Sequence, residues 1–197
     1  MGAAIELEPR DVAEHLFEDY HFLHIEGYLV QNKSLIQHAL QTAKKKGLQV
    51  SLDLASFNVV EENRDFLHEI VKNYVDILFA NEEEAKAFTG LTDGAALHRL
   101  SEFSNVAVLK LGSKGSIIKH QDRVVEVAAT EAVSRDTTGA GDLYASGFLF
   151  GLIHGLPIEQ CGEIASLLAG RVIEVIGPKI DDQAWKDINQ QVMKYVN

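Results

Sequence analysis

The amino-acid sequence predicts a layered α/β/α fold of the Rossmann-like type, built around a mostly parallel central sheet. Short apolar runs, such as residues 77–80 and 106–109, alternate with longer segments of helical periodicity, such as residues 33–46. Strands that alternate with helices usually pair in parallel, because each helix carries the chain back across the sheet. No repeat, low-complexity tract or linker interrupts this alternation, so we expect residues 1–197 to form one domain.

Two strands in the middle of the chain depart from the alternation and predict a β-hairpin. They flank Gln121 and Asp122, which leave room for a two-residue turn. Gly47, Pro157 and Pro178 mark the borders of helices. The predicted strands cover residues 22–25, 49–54, 77–80, 106–109, 116–120 and 123–128. The predicted helices cover residues 33–46, 61–74, 82–88, 94–102, 141–154, 158–176 and 182–196.

Charge and composition narrow the class of protein. The formal net charge is −11, which argues against a nucleic-acid binder because phosphate backbones bind to basic surfaces. The single cysteine, Cys161, excludes an intrachain disulfide and fits a reducing compartment. Residues 1–10 lack the basic start and apolar run of a signal peptide, and no apolar stretch reaches a membrane-spanning length. We therefore expect a cytoplasmic protein that has neither a nucleic acid nor a membrane as its partner.

Residues 136–142, with the sequence Asp-Thr-Thr-Gly-Ala-Gly-Asp, carry the strongest chemical signal. The small residues Gly139, Ala140 and Gly141 allow backbone N–H groups to approach a ligand closely. The apolar periodicity that follows predicts a helix, whose N-terminus presents unpaired N–H groups and a positive dipole to a phosphate. Asp142 would lie in the first helical turn, where it can accept the proton of an attacking hydroxyl group. The alternative is a plain loop with an acidic residue at a helix start.

The same seven residues resemble the second signature of the ribokinase-like (PfkB) family, whose members phosphorylate sugars, nucleosides and related alcohols. The resemblance implies that ATP is the phosphoryl donor and that Thr138 belongs to the nucleotide-binding part of the string. It further implies that the N–H groups from Gly139 to Gly141 stabilise the transferring phosphoryl group. Asp142 would then orient and deprotonate the acceptor.

A second segment, Asn81-Glu82-Glu83-Glu84, follows a predicted buried strand and resembles the Asn-x-x-Glu motif of the family. The resemblance implies that Asn81 and Glu84 help to hold Mg²⁺ and its waters near the phosphates. Carboxylate and water ligands suit Mg²⁺. The alternative is the solvated acidic start of a helix, where Asp and Glu are favoured.

A third segment, Lys110-Leu111-Gly112-Ser113-Lys114-Gly115, resembles the Lys/Thr-x-Gly-x-x-Gly turn that borders the nucleotide in the family. Gly112 and Gly115 allow tight backbone geometry, and Lys110 would reach a phosphate. The alternative is an ordinary turn between strands, which we prefer for Ser113 and Lys114.

Family members also often bind a monovalent cation such as K⁺ beside the anion hole. Asp136 and the backbone around Thr138 and Gly177 match part of that site. Dependence on K⁺ is left open by the sequence.

Family members carry an N-terminal portion that supplies a β-sheet lid, a Gly-Gly signature and most sugar contacts. This sequence contains no Gly-Gly, and its first seven residues run directly into helix-like sequence, so we expect a further segment upstream. Without a lid, the chain alone is expected to bind Mg-ATP weakly and to turn over almost no acceptor. The sequence also leaves open whether the protein forms a homodimer, because family members often dimerise through the lid.

Two functions follow from these observations. The first is an ATP-dependent kinase that acts on the hydroxymethyl group of a sugar or nucleoside. Within it, residues 24–29 resemble members related to adenosine kinases and favour an adenosine or ribose-type acceptor. The second is a truncated nucleotide-binding remnant or regulatory module without catalysis. No Gly-x-x-x-x-Gly-Lys-[Ser/Thr] string is present, which excludes a P-loop enzyme.

Overall fold

The computed structural model describes residues 6–196. The chain divides into two compact units, one that ends at Leu109 and one that begins at Lys110. The strands are β1 Phe22–Glu26, β2 Gln49–Asp53, β3 Ile77–Asn81, β4 Val106–Lys110, β5 Ser116–His120 and β6 Arg123–Val127. The helices are α1 Lys33–Lys45, α2 Phe57–Glu62, α3 Arg64–Tyr74, α4 Glu82–Thr89, α5 Asp93–Leu100, α6 Ala140–Ile153, α7 Ile158–Val172 and α8 Asp182–Val196. None of the helices in this part of the chain is long and apolar enough to cross a membrane.

In the first unit, β1, β2, β3 and β4 lie in chain order across a sheet. β1 pairs with β2 in parallel, with Phe22 opposite Gln49, and β2 pairs with β3 in parallel, with Ser51 opposite Ile77. The side chains of β3 are almost all buried, as expected for a parallel strand with both faces covered. The prediction of an α/β fold with a mostly parallel sheet is confirmed.

Helix α1 shows how the local sequence sets the ends of a crossover helix. The Asn32 side chain caps its start and accepts a hydrogen bond from the Leu35 N–H at 3.2 Å. Just past its end, Gly47 adopts a φ of 81°, which stops the helix as predicted. The buried side chains recur at helical spacing and form one apolar face: Leu35, Ile36, Ala39, Leu40 and Ala43.

In the second unit, β5 and β6 form the predicted hairpin. They pair in antiparallel fashion, with Ser116 opposite Val127 and His120 opposite Arg123. Gln121 at the turn has a φ of 55°, the left-handed conformation that tight two-residue hairpin turns require. Helix α8 covers α7 through an apolar cluster to which Trp185 adds, as expected for a packing residue: Ile164, Leu168, Val172, Ile188 and Val192.

Helices α6 and α7 approach each other at backbone distance. A Cβ atom on Gly147 would lie 2.9 Å from the Cα of Ala165 and 3.0 Å from the carbonyl oxygen of Ile164. One turn later, a Cβ atom on Gly151 would lie 2.9 Å from the Cα of Cys161. Only glycine leaves room for this contact, because the opposing atoms belong to the backbone and cannot rotate away.

Two predicted helices need correction. The predicted helix 61–74 is two helices, because Asn63 leaves the helical conformation and separates α2 from α3, while Ser56 caps α2. The predicted helix 158–176 ends at Val172, because the Ile173 carbonyl accepts hydrogen bonds from the N–H groups of Arg135 and Asp136. The other predicted elements agree with the structure to within two residues at each end. The first seven residues, which were expected to run directly into helix-like sequence, lie mostly outside residues 6–196, the part that the structure describes.

We predict that Gly147→Ala lowers the free energy of unfolding by about 1–2 kcal/mol, as forced separation of α6 and α7 outweighs the gain in helix propensity. The matched control is Ser146→Ala on the exposed side of the same helix, which should be neutral or slightly stabilising. Urea unfolding of the three proteins measures the difference. A Gly147→Ala variant as stable as the control would mean that the two helices can separate without loss.

Candidate phosphate-binding site

The turn that precedes α6 is held by the side chain of Asp136. Its Oδ1 accepts hydrogen bonds from the Thr138 N–H at 2.9 Å and from the Thr138 hydroxyl at 2.7 Å. Its Oδ2 accepts a hydrogen bond from the Gly177 N–H at 2.8 Å. The carboxylate therefore ties the turn to the chain that follows α7.

These hydrogen bonds also favour the charged form of the carboxyl group. The Thr138 hydroxyl, followed by the N–H groups of Thr138 and Gly177, lowers the pKa of Asp136 below its ordinary value of 3.8. At neutral pH the Asp136 carboxyl group is therefore charged and accepts all three hydrogen bonds.

The backbone at the start of α6 presents N–H groups to the outside. Gly139 is the N-cap and has a φ of 81°; a Cβ atom there would lie 2.9 Å from the Cβ of Pro178. The Ala140 N–H donates to Thr137 O at 3.1 Å, and the Leu143 N–H donates to Gly139 O at 2.9 Å. Gly141 and Asp142 lie between these two donors along the chain. They belong to the first turn of α6, whose N–H groups have no partner within the helix. Together with the helix dipole, they suit an anion.

Asp142 occupies the third position of α6, and its side chain is exposed. Two residues later, Tyr144 anchors the helix, because its buried hydroxyl lies 2.6 Å from the Ser116 hydroxyl on β5. The structure therefore places a solvent-accessible carboxylate in the same helical turn as the free N–H groups. This arrangement combines N–H groups that suit an anion with a group that can accept a proton.

The turn at residues 110–115 begins with Lys110, which is partly buried and interacts with other groups of the protein. The Leu111 N–H donates to Gly115 O at 2.8 Å, and the Gly115 N–H donates to Gly112 O at 3.0 Å. Gly115 has a φ of 92°, and a Cβ atom there would lie 1.9 Å from the carbonyl oxygen of Val127. Turn geometry alone therefore requires Gly115. The nucleotide role of Lys110, Gly112 and Gly115 stays a prediction.

Asn81 and Glu84, in the first unit, face each other across the start of α4. The Asn81 side chain accepts from the Glu84 N–H at 2.9 Å, while Glu84 accepts from the Asn81 N–H at 2.8 Å and from its side-chain amide at 2.6 Å. This is a complete capping box, and Glu84 is buried within it. Their role towards Mg²⁺ stays a prediction. Among residues 6–196, no three His, Cys, Asp or Glu side chains form a group that could hold a metal ion.

A cavity of about 550 Å³ lies in the second unit, between α7, α8 and the chain that leaves β6. Its lining is mixed, with hydroxyl, cationic and apolar groups from Thr130, Ser166, Leu167, Arg171 and Lys194. Tyr195 completes one wall, and burial together with the neighbouring negative charge of Glu163 raises its pKa. The volume is within the range of small-molecule pockets.

Comparison with known proteins identifies the family of this chain. Residues 2–185 match the pfkB family of carbohydrate kinases. The chain belongs to this family. The predicted resemblance is thereby confirmed.

Three relatives show how similar this pfkB chain is to known members. It is 31% identical to the nucleoside kinase of Methanocaldococcus jannaschii over 134 aligned residues. The aligned region covers 68% of this chain and 44% of that kinase. It resembles the crystal structure of adenosine kinase from Sinorhizobium meliloti, with 34% identity, a TM-score of 0.89 and coverage of 95% of the chain and 59% of that structure. It also resembles the crystal structure of a probable sugar kinase from Rhizobium etli CFN 42, with 32% identity and a TM-score of 0.89. The match covers 95% of this chain and 58% of that structure.

The pfkB chain thus spans between 44% and 59% of the length of these three relatives. The TM-scores confirm the ribokinase-like fold predicted from sequence. The names of the relatives include both nucleoside and sugar kinases, so they agree on the class of reaction more closely than on the acceptor.

The structure brings part of the predicted site into one place. Thr138, Gly139, Ala140, Gly141 and Asp142 form a single turn at the start of α6, held by Asp136. Sequence reasoning missed two residues. Ser166 lines the cavity, and a lone serine inside the apolar pattern of α7 was the available signal. Phe57 is an exposed aromatic residue at the start of α2, four positions after the last residue of β2, and α/β proteins bind ligands at this end of the strands.

We predict that the Tyr144 anchor makes the protein sensitive to alkali. Burial raises the pKa of Tyr144 from 10.0 to about 12, so the folded state holds the phenol proton more tightly than the unfolded chain. This stabilisation is complete below pH 10 and is lost as the pH rises through 12. Urea unfolding of Tyr144→Phe should show a shallower decline above pH 10, although the variant is less stable by about 1 kcal/mol at pH 8.

The buried Cys161 thiol also lowers the free energy of unfolding as the pH rises, but it does so at lower pH than Tyr144. The reason is that burial raises the pKa of this thiol from 9.0 to about 11. Wild type and Tyr144→Phe both carry Cys161, so the difference between their pH profiles isolates the tyrosine. Parallel profiles above pH 10 would contradict the anchor.

Proposed function

We propose that this chain is the nucleotide-binding and catalytic part of an ATP-dependent kinase that phosphorylates the hydroxymethyl group of a nucleoside or sugar. The observation that carries the proposal is the first turn of α6. There the exposed carboxylate of Asp142 lies in the same turn as N–H groups that have no helical partner. Membership of the pfkB family supports the same reaction class.

The proposed mechanism relies on position more than on chemical reactivity. In phosphoryl transfer, charge spreads over the equatorial oxygens of a loosely bound group, so fixed donors and alignment supply most of the catalysis. The N–H groups of Gly139 and Gly141 would face these oxygens. The Ala140 N–H, predicted to join them, instead donates to the Thr137 carbonyl and holds the turn in shape. Asp142 would orient the acceptor hydroxyl and take its proton as the new bond from oxygen to the γ-phosphorus forms. The bond between that phosphorus and the bridging oxygen breaks, and ADP is the leaving group.

The donor in this proposal is Mg-ATP. The cavity between α7 and α8 would hold the base and ribose, because its lining combines the apolar Leu167 and the Tyr195 ring with the cationic groups of Arg171 and Lys194. Lys110 would contact a phosphate, and Asn81 and Glu84 would order the waters around Mg²⁺. When bound, Mg²⁺ would neutralise charge on the phosphates. We also propose a monovalent cation such as K⁺ beside Asp136.

Among ribose-type acceptors, aromatic side chains in the first unit favour adenosine over free ribose. Tyr28 follows β1 and is 49% exposed, and Phe57 follows β2 and is 41% exposed. The Tyr28 hydroxyl donates to the carbonyl of Ala55 at 3.2 Å, which fixes this ring beside the turn that leads to Phe57. Ala55 itself has a φ of 65°, a strained conformation of a kind that clusters at functional sites. Aromatic faces suit a nucleobase, which free sugars lack.

We predict that Asp142→Asn lowers the turnover number by roughly 100-fold or more, with ATP affinity changed by no more than about 3-fold. The reason is that Asn keeps the shape of the side chain but cannot accept the proton. Because the 197 residues alone are expected to turn over almost no acceptor, turnover is measured as ADP release with adenosine or ribose in protein that includes any segment preceding these residues. Calorimetry with a non-hydrolysable ATP analogue measures affinity.

The matched control is Asp182→Asn, an exposed aspartate in the first turn of α8, which should leave both quantities unchanged. Undiminished turnover in Asp142→Asn would remove this residue from the mechanism. Wild-type protein that includes any preceding segment and binds the analogue, but releases no ADP with any acceptor, would instead support the non-catalytic nucleotide-binding module.

We predict that Phe57→Ala raises the KM for adenosine about 10-fold and leaves the KM for ribose unchanged, because a lost stacking contact affects only an acceptor with a base. The assay panel contains adenosine, cytidine, ribose and fructose. Leu91→Ala removes another exposed apolar side chain of the first unit and serves as control. Activity confined to fructose would overturn the nucleoside preference.

A further inference from the structure

A buried serine in α7 holds the chain that leads to the phosphate-binding turn. The Ser166 side chain is only 7% exposed, although most of the surrounding helix surface is apolar. Its hydroxyl donates to the carbonyl oxygen of Ala128 at 2.9 Å and accepts from the Thr130 N–H at 2.9 Å. Both partners lie just after β6, so one side chain fixes the point at which the chain leaves the hairpin.

Residues 128–136, which we name the strap, connect this point to the phosphate-binding turn. At the far end of the strap, the N–H groups of Arg135 and Asp136 donate to the Ile173 carbonyl at 2.7 and 3.3 Å. The Asp136 carboxylate also accepts a hydrogen bond from the Gly177 N–H. The strap is therefore attached to α7 through Ser166 at its start, and to the residues that follow α7 at its end.

Close packing at the start of the strap leaves little freedom for adjustment. A Cβ atom on Gly170, one helical turn after Ser166, would lie 2.9 Å from the Cβ of Thr130. Thr130 thus rests directly on the helix backbone, and the two hydrogen bonds of Ser166 set its position along the helix. Losing them would leave the Thr130 N–H and the Ala128 carbonyl without their side-chain partner.

We propose that Ser166 is a positioning residue that sets the place of the Gly139–Asp142 turn by fixing the start of the strap. The functional consequence rests on the kinase proposed above. Phosphoryl transfer depends on donors and acceptor groups that are aligned in advance, and a displacement of about 1 Å can cost 100-fold in rate. Ser166 lines the cavity, but its hydroxyl already donates to the Ala128 carbonyl and accepts from the Thr130 N–H. In this proposal it therefore acts through the strap, and not through a hydrogen bond to the nucleotide.

Hydrogen exchange tests this proposal without relying on activity. In Ser166→Ala, the amides of Arg135, Thr138 and Ala140, each of which donates a hydrogen bond, should exchange roughly 10-fold faster than in wild type. The matched control is Ser104→Ala. Ser104 is also buried, and its hydroxyl lies 3.3 and 3.1 Å from the Leu100 and Val106 carbonyls of the first unit.

The control should lower the melting temperature to a similar degree while leaving those three amides unchanged. If the amides exchange alike in the two variants, Ser166 contributes only general stability and the proposal is overturned.

Kinetics separate this proposal from the proposed function. In ADP-release assays, Ser166→Ala should lower kcat roughly 10- to 100-fold with little change in the KM for Mg-ATP, because alignment is lost while the nucleotide contacts remain. A kcat equal to that of Ser104→Ala would count against the positioning role. Wild-type protein that neither binds nucleotide nor releases ADP would contradict the kinase, while the exchange comparison would still decide whether Ser166 positions the turn.

Discussion

The Asp136 carboxylate holds together the segments of the candidate phosphate-binding site. It accepts three hydrogen bonds, two from Thr138 within its own turn and one from the Gly177 N–H beyond α7. A turn with no regular backbone pairing of its own needs such side-chain partners to adopt one conformation. The same residues that close the turn also fix the direction in which the following N–H groups point.

The packing of α6 against α7 extends this constraint into the core of the second unit. Gly147 and Gly151 bring the two helix backbones together, and the Tyr144 hydroxyl attaches α6 to β5. The helix that carries Asp142 therefore has little freedom to shift or rotate. A rigid helix is a good carrier for a phosphate cradle, because its N–H groups need no reorganisation when a ligand arrives.

The charge distribution explains how an acidic protein can present a site for an anion. The formal net charge is −11, so long-range attraction does not favour a phosphate ligand. The proposed cradle relies instead on backbone dipoles at the start of α6, whose influence is local and strongest where water is displaced. Asp142, in the same turn, adds a negative charge that suits proton acceptance more than phosphate binding.

The sequence by itself determined the α/β alternation, most element borders and the position of the small-residue turn that precedes α6. These features depend on neighbouring residues: apolar periodicity, Gly47 at the end of a helix, a turn at Gln121 and small residues before a helix. It placed Asp142 correctly in the first turn of α6 for the same reason.

Tertiary structure decided which distant groups meet. The Gly177 N–H reaches Asp136 across 41 positions, and Ser166 reaches Ala128 across 38. It also ended α7 at Val172, where local periodicity predicted four more residues, because the Ile173 carbonyl bonds to the strap. A hydrogen bond between remote residues depends on how the elements between them pack, and this leaves no local pattern in the chain.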